Sequence, residues 1–263
     1  MTVDRFNSIH LQPILFPKGK LFALYRTMAN YDENLLFRAL PPDSAARLAE
    51  HFITIDAPSR AQLYEPGDTV NRVYFPLDSV ISMTAPIGTT QGEVATVGQE
   101  GMVGLPTVFG TDMANMRFFV QIGGRIAVAP AHQFADLLRA DDAIRAVMLR
   151  YAHAMFTQIG QSVVCNQRHS LRQRCARWLL MTHDRVPGDQ FHLTHEFLAV
   201  MLGVRRAGVT VAAGNLQKAG LIKYRRGEIT ILDRAGLEKV SCECYRLVAE
   251  VYERLVGHTV SKD

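Results

Sequence analysis

The chain has 263 residues, of which 48% are hydrophobic and 21% are charged, and its formal net charge is +4. This composition is typical of a globular protein, and the length allows one large domain or two smaller ones with separate cores. No apolar run approaches the roughly 18 residues of a membrane span and the N-terminus lacks the core of a signal peptide, so we expect a cytoplasmic protein without a membrane partner.

The first half of the chain changes from an irregular to a β-rich pattern. Residues 1–33 show no clear period, and we predict a weakly ordered extension in which Phe22, Leu24 and Tyr25 can pack on a core. After Asn34 come a short helix, a Pro-Pro break and a second helix. Residues 53–130 contain short runs such as RVYFPL, SVISMTAPI and RFFVQI between Gly and Pro turns, which predict an antiparallel barrel or sandwich.

After Pro130 the hydrophobic period becomes helical, and apolar residues form a long, narrow stripe between polar faces. Such a stripe is usually the face that packs on the helix's own domain, but its length also suits a seam between two copies of the chain. We predict a dimerisation helix. The predicted seam residues are Ile144, Met148, Tyr151, Met155 and Ile159, with Val147 and Val163 on the same stripe.

Another helix carries the single tryptophan, Trp178, and the stretch HEFLAVMLGVRRAGVT follows it. A small residue at Ala199, a glycine at 203 and an inward aliphatic at Val209 have the spacing of two helices joined by a tight turn. A helical hairpin without a binding function can show the same pattern. We predict a helix-turn-helix whose first helix is capped by Thr194.

The charges favour DNA as the partner of this motif. Arg205 and Arg206 occupy the first turn of the second helix, where cations oppose the helix dipole, so an outward contact to phosphate or guanine explains them better than stability does. No carboxylate lies between Glu196 and Glu228, which predicts an unopposed positive surface ending in a basic hairpin. The predicted DNA contacts are Thr194, His195, Arg205, Arg206, Ala207, Thr210, Val211, Lys218, Arg225 and Arg226.

The four cysteines, Cys165, Cys175, Cys242 and Cys244, form neither a disulfide framework nor a paired C-x-x-C zinc motif. Cys242 and Cys244 fall in a stretch with a helical pattern, where side chains two residues apart point away from each other. We therefore expect reduced thiols and no metal site, with a metal or redox role as the alternative.

The β-rich part, the long helix and the C-terminal motif together resemble the Crp/Fnr superfamily of bacterial transcription regulators. The resemblance covers residues 34–240 and is strong in LYEPGDTVNRVYFPLDSVIS, in GQEGMVGLPTVFG and in the helix-turn-helix. It implies an α+β fold with an N-terminal antiparallel β-roll of the cyclic-nucleotide-binding type, a long dimerisation helix and a C-terminal winged helix-turn-helix. The expected domains are an extension (1–33), the roll (34–137), the long helix (138–167), the winged helix-turn-helix (168–240) and a C-terminal helix and tail (241–263).

The resemblance also implies a homodimer on a near-palindromic operator, with half-sites about 34 Å apart. The expected partners are double-stranded DNA, a second copy of the chain and RNA polymerase. In the cyclic-AMP-responsive members the recognition helix offers Arg, Glu and a later Arg to the bases. Here those positions hold Arg206, Ala207 and Val211, so we expect a different operator.

The expected effector pocket departs further from the family. Where nucleotide-binding members have a Gly-Glu pair and an Arg-Ser pair, this chain has Gly104, Leu105 and Pro106, and Arg117 without an adjacent serine. A buried phosphate without those partners is unfavourable, so we expect no cyclic nucleotide. Residues 1–164 contain no cysteine, which argues against the N-terminal iron–sulfur cluster of another branch. We predict no cofactor.

Two other classes of function compete with a DNA-binding regulator. One is a small-ligand-binding effector module whose basic helices contact a protein or an acidic surface. The other is an enzyme, which we reject because no Ser-His-Asp pattern, phosphate loop or metal-ligand spacing is present. Glu93 and Glu100, which lie in a Gly-rich segment, are interpreted as a solvated loop pair.

Overall fold

The computed structural model describes residues 24–25, 31–88 and 90–257. Most of the predicted extension, including Phe22, lies outside them. The chain enters the fold at strand β1 (Leu24–Tyr25), which pairs antiparallel with β2 (Ile53–Ala57). A 3-10 turn (Tyr31–Glu33) and two helices, α1 (Leu35–Arg38) and α2 (Pro42–Ala49), lie between these strands, with the predicted Pro-Pro break between the helices.

The β-rich part forms two four-stranded sheets, with strand orders β1-β2-β8-β4 and β3-β7-β5-β6, in which all pairings are antiparallel. This confirms the predicted antiparallel roll. Helix α3 (Leu105–Val108) interrupts the strands between β6 and β7. The remaining strands are β3 (Gln62–Tyr64), β4 (Arg72–Pro76), β5 (Val80–Ile87), β6 (Thr90–Val97), β7 (Arg117–Ile122) and β8 (Gly124–Pro130).

The long helix is split in two by Asp141. Helix α4 (Ala131–Ala140) ends there, and the 27-residue helix α5 (Asp142–Arg168) begins, four residues later than the expected boundary. The Asp141 carboxylate accepts hydrogen bonds from the backbone N–H groups of Ala143 and Ile144 and pairs with Arg47. The hydrogen bond from Arg47 holds the pKa of Asp141 at about 2, so the cap stays charged.

The predicted seam of the long helix was wrong. Ile144, Met148, Tyr151 and Met155 are buried within their own subunit, and Ile159 is partly buried against the same core. A hydrophobic stripe shows that a helix face is covered but not what covers it, and here the roll does. The tyrosine donates a hydrogen bond to the carbonyl of Met102 at 2.9 Å, which fixes the helix on the roll.

After α5 the described residues form five helices and one small sheet; α6 to α9 and the sheet make up the C-terminal part, and α10 follows it. The sheet has the order β10-β11-β9 and adds a third strand to the two predicted for the hairpin. The helices are α6 (Leu171–His183), α7 (His195–Leu202), α8 (Arg206–Lys218), α9 (Arg234–Val240) and α10 (Cys244–Val256), and the strands are β9 (Gln190–His192), β10 (Ile222–Arg225) and β11 (Glu228–Ile231).

Helix α10 returns from the C-terminal part and packs against α5. The Tyr252 and Tyr151 rings lie 6.4 Å apart, and Arg150 Nε donates to the carbonyl of Leu255 at 2.8 Å. These pairs run in opposite directions along the two helices, so the packing is antiparallel. The chain therefore enters the C-terminal part from α5 at residues 168–171 and leaves it to α10 at residues 240–244.

None of the described helices is by itself long and apolar enough to cross a membrane. Taken together, α7 and α8 meet that test of length and composition, but the pair is bent by 106°.

Candidate nucleic-acid interface and metal cluster

Helices α7 and α8 form the predicted helix-turn-helix. Thr194 caps α7, since its Oγ1 accepts a hydrogen bond from the backbone N–H of Phe197 at 3.2 Å. Gly203 ends α7 with a φ of 64°, a left-handed conformation that is easy for a residue without Cβ. Behind the turn, Leu198 and Val209 are fully buried in one core. The cap, the turn glycine and the inward valine therefore lie where the sequence predicts them.

Helix α8 presents an exposed face along its whole length. Arg206, Ala207, Thr210, Val211 and Lys218 are all exposed and follow one another at helical spacing. Val211 is 64% exposed, although the residues on the opposite side of the helix are buried. A row that combines a guanidinium, a hydroxyl and small apolar groups can offer both hydrogen bonds and methyl contacts to base edges in a major groove.

The first turn of α8 is basic, but a carboxylate opposes its charge. Arg206 Nη1 lies 2.8 Å from Glu196 Oε1, because the bend between the helices places the first turn of α7 beside that of α8. The predicted unopposed surface was therefore wrong at this position. Both side chains are exposed, and such a pair contributes only about 0–1 kcal/mol. Arg205 precedes the helix at its N-cap position and lines a cleft between the turn and the roll.

His195 connects α8 to the hairpin of β10 and β11, which we call the wing. Its ring stacks on Tyr224 with centroids 4.2 Å apart, and its Nδ1 lies 3.1 Å from Thr210 Oγ1. Burial, and then the charge of Arg206, lower the pKa of His195, which favours the neutral ring. In this arrangement His195 positions the wing relative to α8 and does not point freely at a phosphate.

The wing places two arginines at the tip of a tight hairpin. Arg225 pairs with Glu228 across the hairpin, and Arg226 and Gly227 between them both have positive φ, at 52° and 85°. This is the geometry of a type I′ turn, which matches the twist of the two strands. Both arginines are exposed, as a contact to the DNA backbone requires.

The roll contains an apolar cavity of about 290 Å³ that borders α5. Gly104, Leu105 and Pro106 line it, as the sequence predicts for the effector pocket, together with methionine, aliphatic and aromatic side chains. None of the described residues that line the cavity is charged. Arg117 lies outside it, because its guanidinium is held 3.1 Å from Glu65 Oε1 and stacks over Phe119. Of the four residues predicted for the effector pocket, Gly104, Leu105 and Pro106 therefore line this cavity and Arg117 does not.

Two carboxylates connect the roll to the C-terminal part. The Glu100 carboxylate accepts hydrogen bonds from Arg185 Nε at 3.0 Å and Nη2 at 2.8 Å, and both side chains are at most 2% exposed. Glu93 accepts hydrogen bonds from Trp178 Nε1 at 2.6 Å and Ser82 Oγ at 2.7 Å. The interpretation of these glutamates as a solvated loop pair was wrong, because α6 and the segment after it cover them. We call this contact the domain interface.

The domain interface is expected to be sensitive to pH through Glu93. Burial raises the pKa of Glu93 to about 7, against the lowering effects of its hydrogen bonds and of Arg185 and Arg177. The unfolded chain loses this proton near pH 4.5 and the native state near pH 7, so stability falls as the pH rises through that window. We expect Glu93→Gln to raise the free energy of unfolding by about 2 kcal/mol above pH 7 and to have no such advantage below pH 4.5. Urea unfolding from pH 4.5 to 8.5 measures this, and parallel pH profiles for the two proteins would contradict it.

The prediction of no cofactor and no metal site was wrong. Cys165, His169, Cys242 and Cys244 converge, and their Sγ and imidazole nitrogen atoms all lie within 4.8 Å of one another, so they could hold a metal ion. Cys242 lies before α10 rather than in it, which removes the reason to expect Cys242 and Cys244 to point apart. The sequence signal was the pair of short spacings, C-x-x-x-H and C-x-C, separated by more than 70 residues.

A family model described as the Crp-like helix-turn-helix domain matches residues 173–240, which include most of α6 and extend to the end of α9. This match confirms the predicted helix-turn-helix and its resemblance to that of the Crp family. A search of curated proteins found no match.

Solved structures share the fold at low sequence identity. A Crp/Fnr-family transcriptional regulator from Eubacterium rectale is 17% identical, with a TM-score of 0.61 over 80% of this chain and 98% of that chain. FixK2 from Bradyrhizobium japonicum is 13% identical, with a TM-score of 0.62 over 72% of this chain and 96% of that chain. The c-di-GMP-responsive global regulator CLP from Xanthomonas campestris is 17% identical, with a TM-score of 0.58 over 73% of this chain and 99% of that chain.

Proposed function

Because the chain carries a Crp-like helix-turn-helix domain on the fold of Crp/Fnr-type transcription regulators, we propose that it is a homodimeric, sequence-specific DNA-binding regulator of the cytoplasm. It acts by binding and not by catalysis. The observation that carries the proposal is the exposed face of α8, with the basic wing beside it. A surface that bound an acidic protein would need the positive charges of this face. It would not need the glycine turn, the inward valine and the type I′ hairpin that together form a winged helix-turn-helix.

Arg206 is the proposed base-reading residue. It lies in the first turn of α8, its guanidinium is exposed, and its present partner Glu196 is a weakly held exposed carboxylate. A guanidinium here can bind guanine O6 and N7 together, which discriminates against other bases by about 1–3 kcal/mol. Ala207 and Val211 then offer apolar contact, for example to a thymine methyl, and Arg225 and Arg226 bind the backbone.

The second copy is proposed to pack on a face of α5 that shares only Val163 with the predicted stripe. Leu149, Phe156 and Val163 are exposed on α5 and are spaced seven residues apart, and Phe156 also borders the cavity of the roll. Apolar residues at this spacing favour a two-stranded helical seam. Two parallel copies of α5 would place one recognition helix on each side of a twofold axis, as a near-palindromic operator requires.

We further propose that operator binding needs no cyclic nucleotide. The described residues that line the cavity in the roll are mostly apolar and none is charged, and Arg117 is turned away to Glu65. A cyclic phosphate placed there would lose its water without gaining a cation.

Footprinting of the purified full chain on selected duplexes tests these proposals. We expect protection of a near-palindromic site without added nucleotide, resistance to competitor DNA and a steep loss of affinity with rising salt. Arg206→Ala should lose about 1–3 kcal/mol of discrimination at one base pair in each half-site. The matched control is Arg225→Ala, which should weaken binding to all sequences alike. Identical base preferences for wild type and Arg206→Ala would refute the role of Arg206, and strict dependence on cyclic AMP would refute the proposal about the cavity.

A further inference from the structure

Cys165, His169, Cys242 and Cys244 form a compact set of thiol and imidazole groups where α5 leads into the C-terminal part and where α9 leads out of it to α10. Cys165 lies in the last turn of α5, and His169 follows that helix in an extended conformation. Cys242 lies between α9 and α10, and Cys244 is the first residue of α10. The chain enters the C-terminal part through the first connection and leaves it through the second, so the cluster lies where the two connections meet.

The geometry is that of a small tetrahedral site. Cys165 Sγ lies 3.5 Å from Cys242 Sγ, and Cys244 Sγ lies 3.5 Å from His169 Nδ1. In a tetrahedral zinc site with Zn–S near 2.3 Å and Zn–N near 2.1 Å, neighbouring ligand atoms are roughly 3.5–3.8 Å apart. The four groups therefore need little movement to surround one ion. A cluster of several irons needs its cysteines spread more widely than 4.8 Å.

The surroundings of the four residues also fit a bound cation. The other nitrogen of the imidazole, His169 Nε2, lies 3.2 Å from the Glu243 carboxylate, which is the arrangement that orients metal-bound histidines. Gln161 Nε2 donates to Cys244 Sγ at 3.1 Å, as expected for a sulfur that carries negative charge. The three sulfurs are buried among one another and are not part of either large apolar core.

Two arginines of α6 provide an independent indication of negative charge at this place. Arg174 and Arg177 line a small cavity together with Cys165. The Nε atoms of both are buried and have no hydrogen-bond partner among the described residues. A divalent ion with three thiolates and one imidazole carries one net negative charge, which these guanidinium groups would balance.

We propose that Cys165, His169, Cys242 and Cys244 bind one zinc ion, which clamps the two connections of the C-terminal domain to the end of α5. Three sulfurs and one nitrogen form the closed ligand set of a structural zinc site, with no position left for a substrate. Binding replaces the thiol protons and joins segments that lie more than 70 residues apart, so the metal stabilises the native arrangement of the connections. The proposal does not rest on DNA recognition.

The first test is the metal content of the full chain, purified under reducing conditions from cells grown with added zinc. We expect about one zinc per chain. Cys165→Ser and Cys244→Ser should lose at least about nine-tenths of it. The matched control is Cys175→Ser, which changes a buried cysteine of α6 outside the cluster and should keep the full content. Glu243→Gln, which changes only the positioning carboxylate, should weaken zinc affinity about 10–100-fold.

A second measurement separates loss of the site from loss of the fold. Wild-type protein stripped with a chelator and kept reduced is titrated with Co²⁺ and then with Zn²⁺. We expect the visible bands of tetrahedral cobalt with thiolate charge transfer, displacement by zinc, and a rise in Tm of roughly 10 °C with excess zinc. No uptake of either ion, a Cys165–Cys242 disulfide in the reduced preparation, or iron with labile sulfide in place of zinc would overturn the proposal.

Discussion

Glu100→Gln is expected to lower the free energy of unfolding by about 3–5 kcal/mol, the largest stability effect we expect from a single residue at the domain interface. The carboxylate binds Arg185 through two nitrogens and also accepts the backbone N–H of Gly98 at 3.1 Å. Glutamine keeps the shape but removes the charge, so the buried guanidinium of Arg185 loses the carboxylate to which it is hydrogen-bonded. Urea unfolding followed by fluorescence of Trp178, which lies at the same interface, measures the change.

The matched control is Glu250→Gln, which removes a carboxylate from the exposed pair with Arg246. Exposed pairs of this kind contribute about 0.3–0.5 kcal/mol, so little change is expected. A second comparison replaces Glu100 and Arg185 together by leucines, which should cost less than Glu100→Gln because no unpaired charge remains. If Glu100→Gln and Glu250→Gln had equal effects, the buried pair would not hold the C-terminal domain on the roll.

The helix-turn-helix could be predicted in detail because each of its features is a local requirement. The turn needs a residue that tolerates positive φ, and Gly203 has a φ of 64°. The inward position needs an aliphatic side chain, and Val209 is fully buried. Gly208 has a different role, because a Cβ there would lie 3.0 Å from the Leu171 side chain of α6, inside the subunit.

The glycine-rich segment GQEGMVG shows why composition misled the sequence analysis at the domain interface. We interpreted its glycines as turn residues of a solvated loop. The structure shows close packing, since a Cβ on Gly98 would lie 2.6 Å from Arg185 Cγ and one on Gly101 would lie 2.5 Å from Tyr151 Oη. A glycine required by a distant side chain and a glycine required by a turn look the same in one sequence.

The metal cluster and the seam of α5 could not be predicted for a related reason. Cys165 and Cys242 meet only because α10 returns antiparallel to α5, and nothing in the local pattern encodes that return. The stripe through Ile144 and Met148 predicted correctly that one face of α5 is covered. Which surface covers it depends on the position of the roll, which hydrophobic periodicity does not contain.

Phe156→Asp is expected to lower the affinity for a full operator by about 10²–10⁴-fold, the range by which linking two binding modules raises affinity. Phe156 is 76% exposed at the centre of the proposed seam with Leu149 and Val163. Two carboxylates facing each other across the helices would repel, and a monomer would retain contact with one half-site only. Sedimentation of the free protein and titration of full-site and half-site duplexes measure the two effects separately.

Met113→Asp is the matched control, since Met113 is also an exposed apolar residue but belongs to the roll, where it pairs with Thr69, and not to α5. It should leave both the dimer and operator affinity unchanged. Affinity for a single half-site should be nearly equal in wild type and Phe156→Asp, because α8 and the wing are untouched by the substitution. A Phe156→Asp protein that remains dimeric and binds the full operator like wild type would show that the two copies meet elsewhere. A monomeric variant with undiminished full-site affinity would instead show that each recognition helix binds without help from the other.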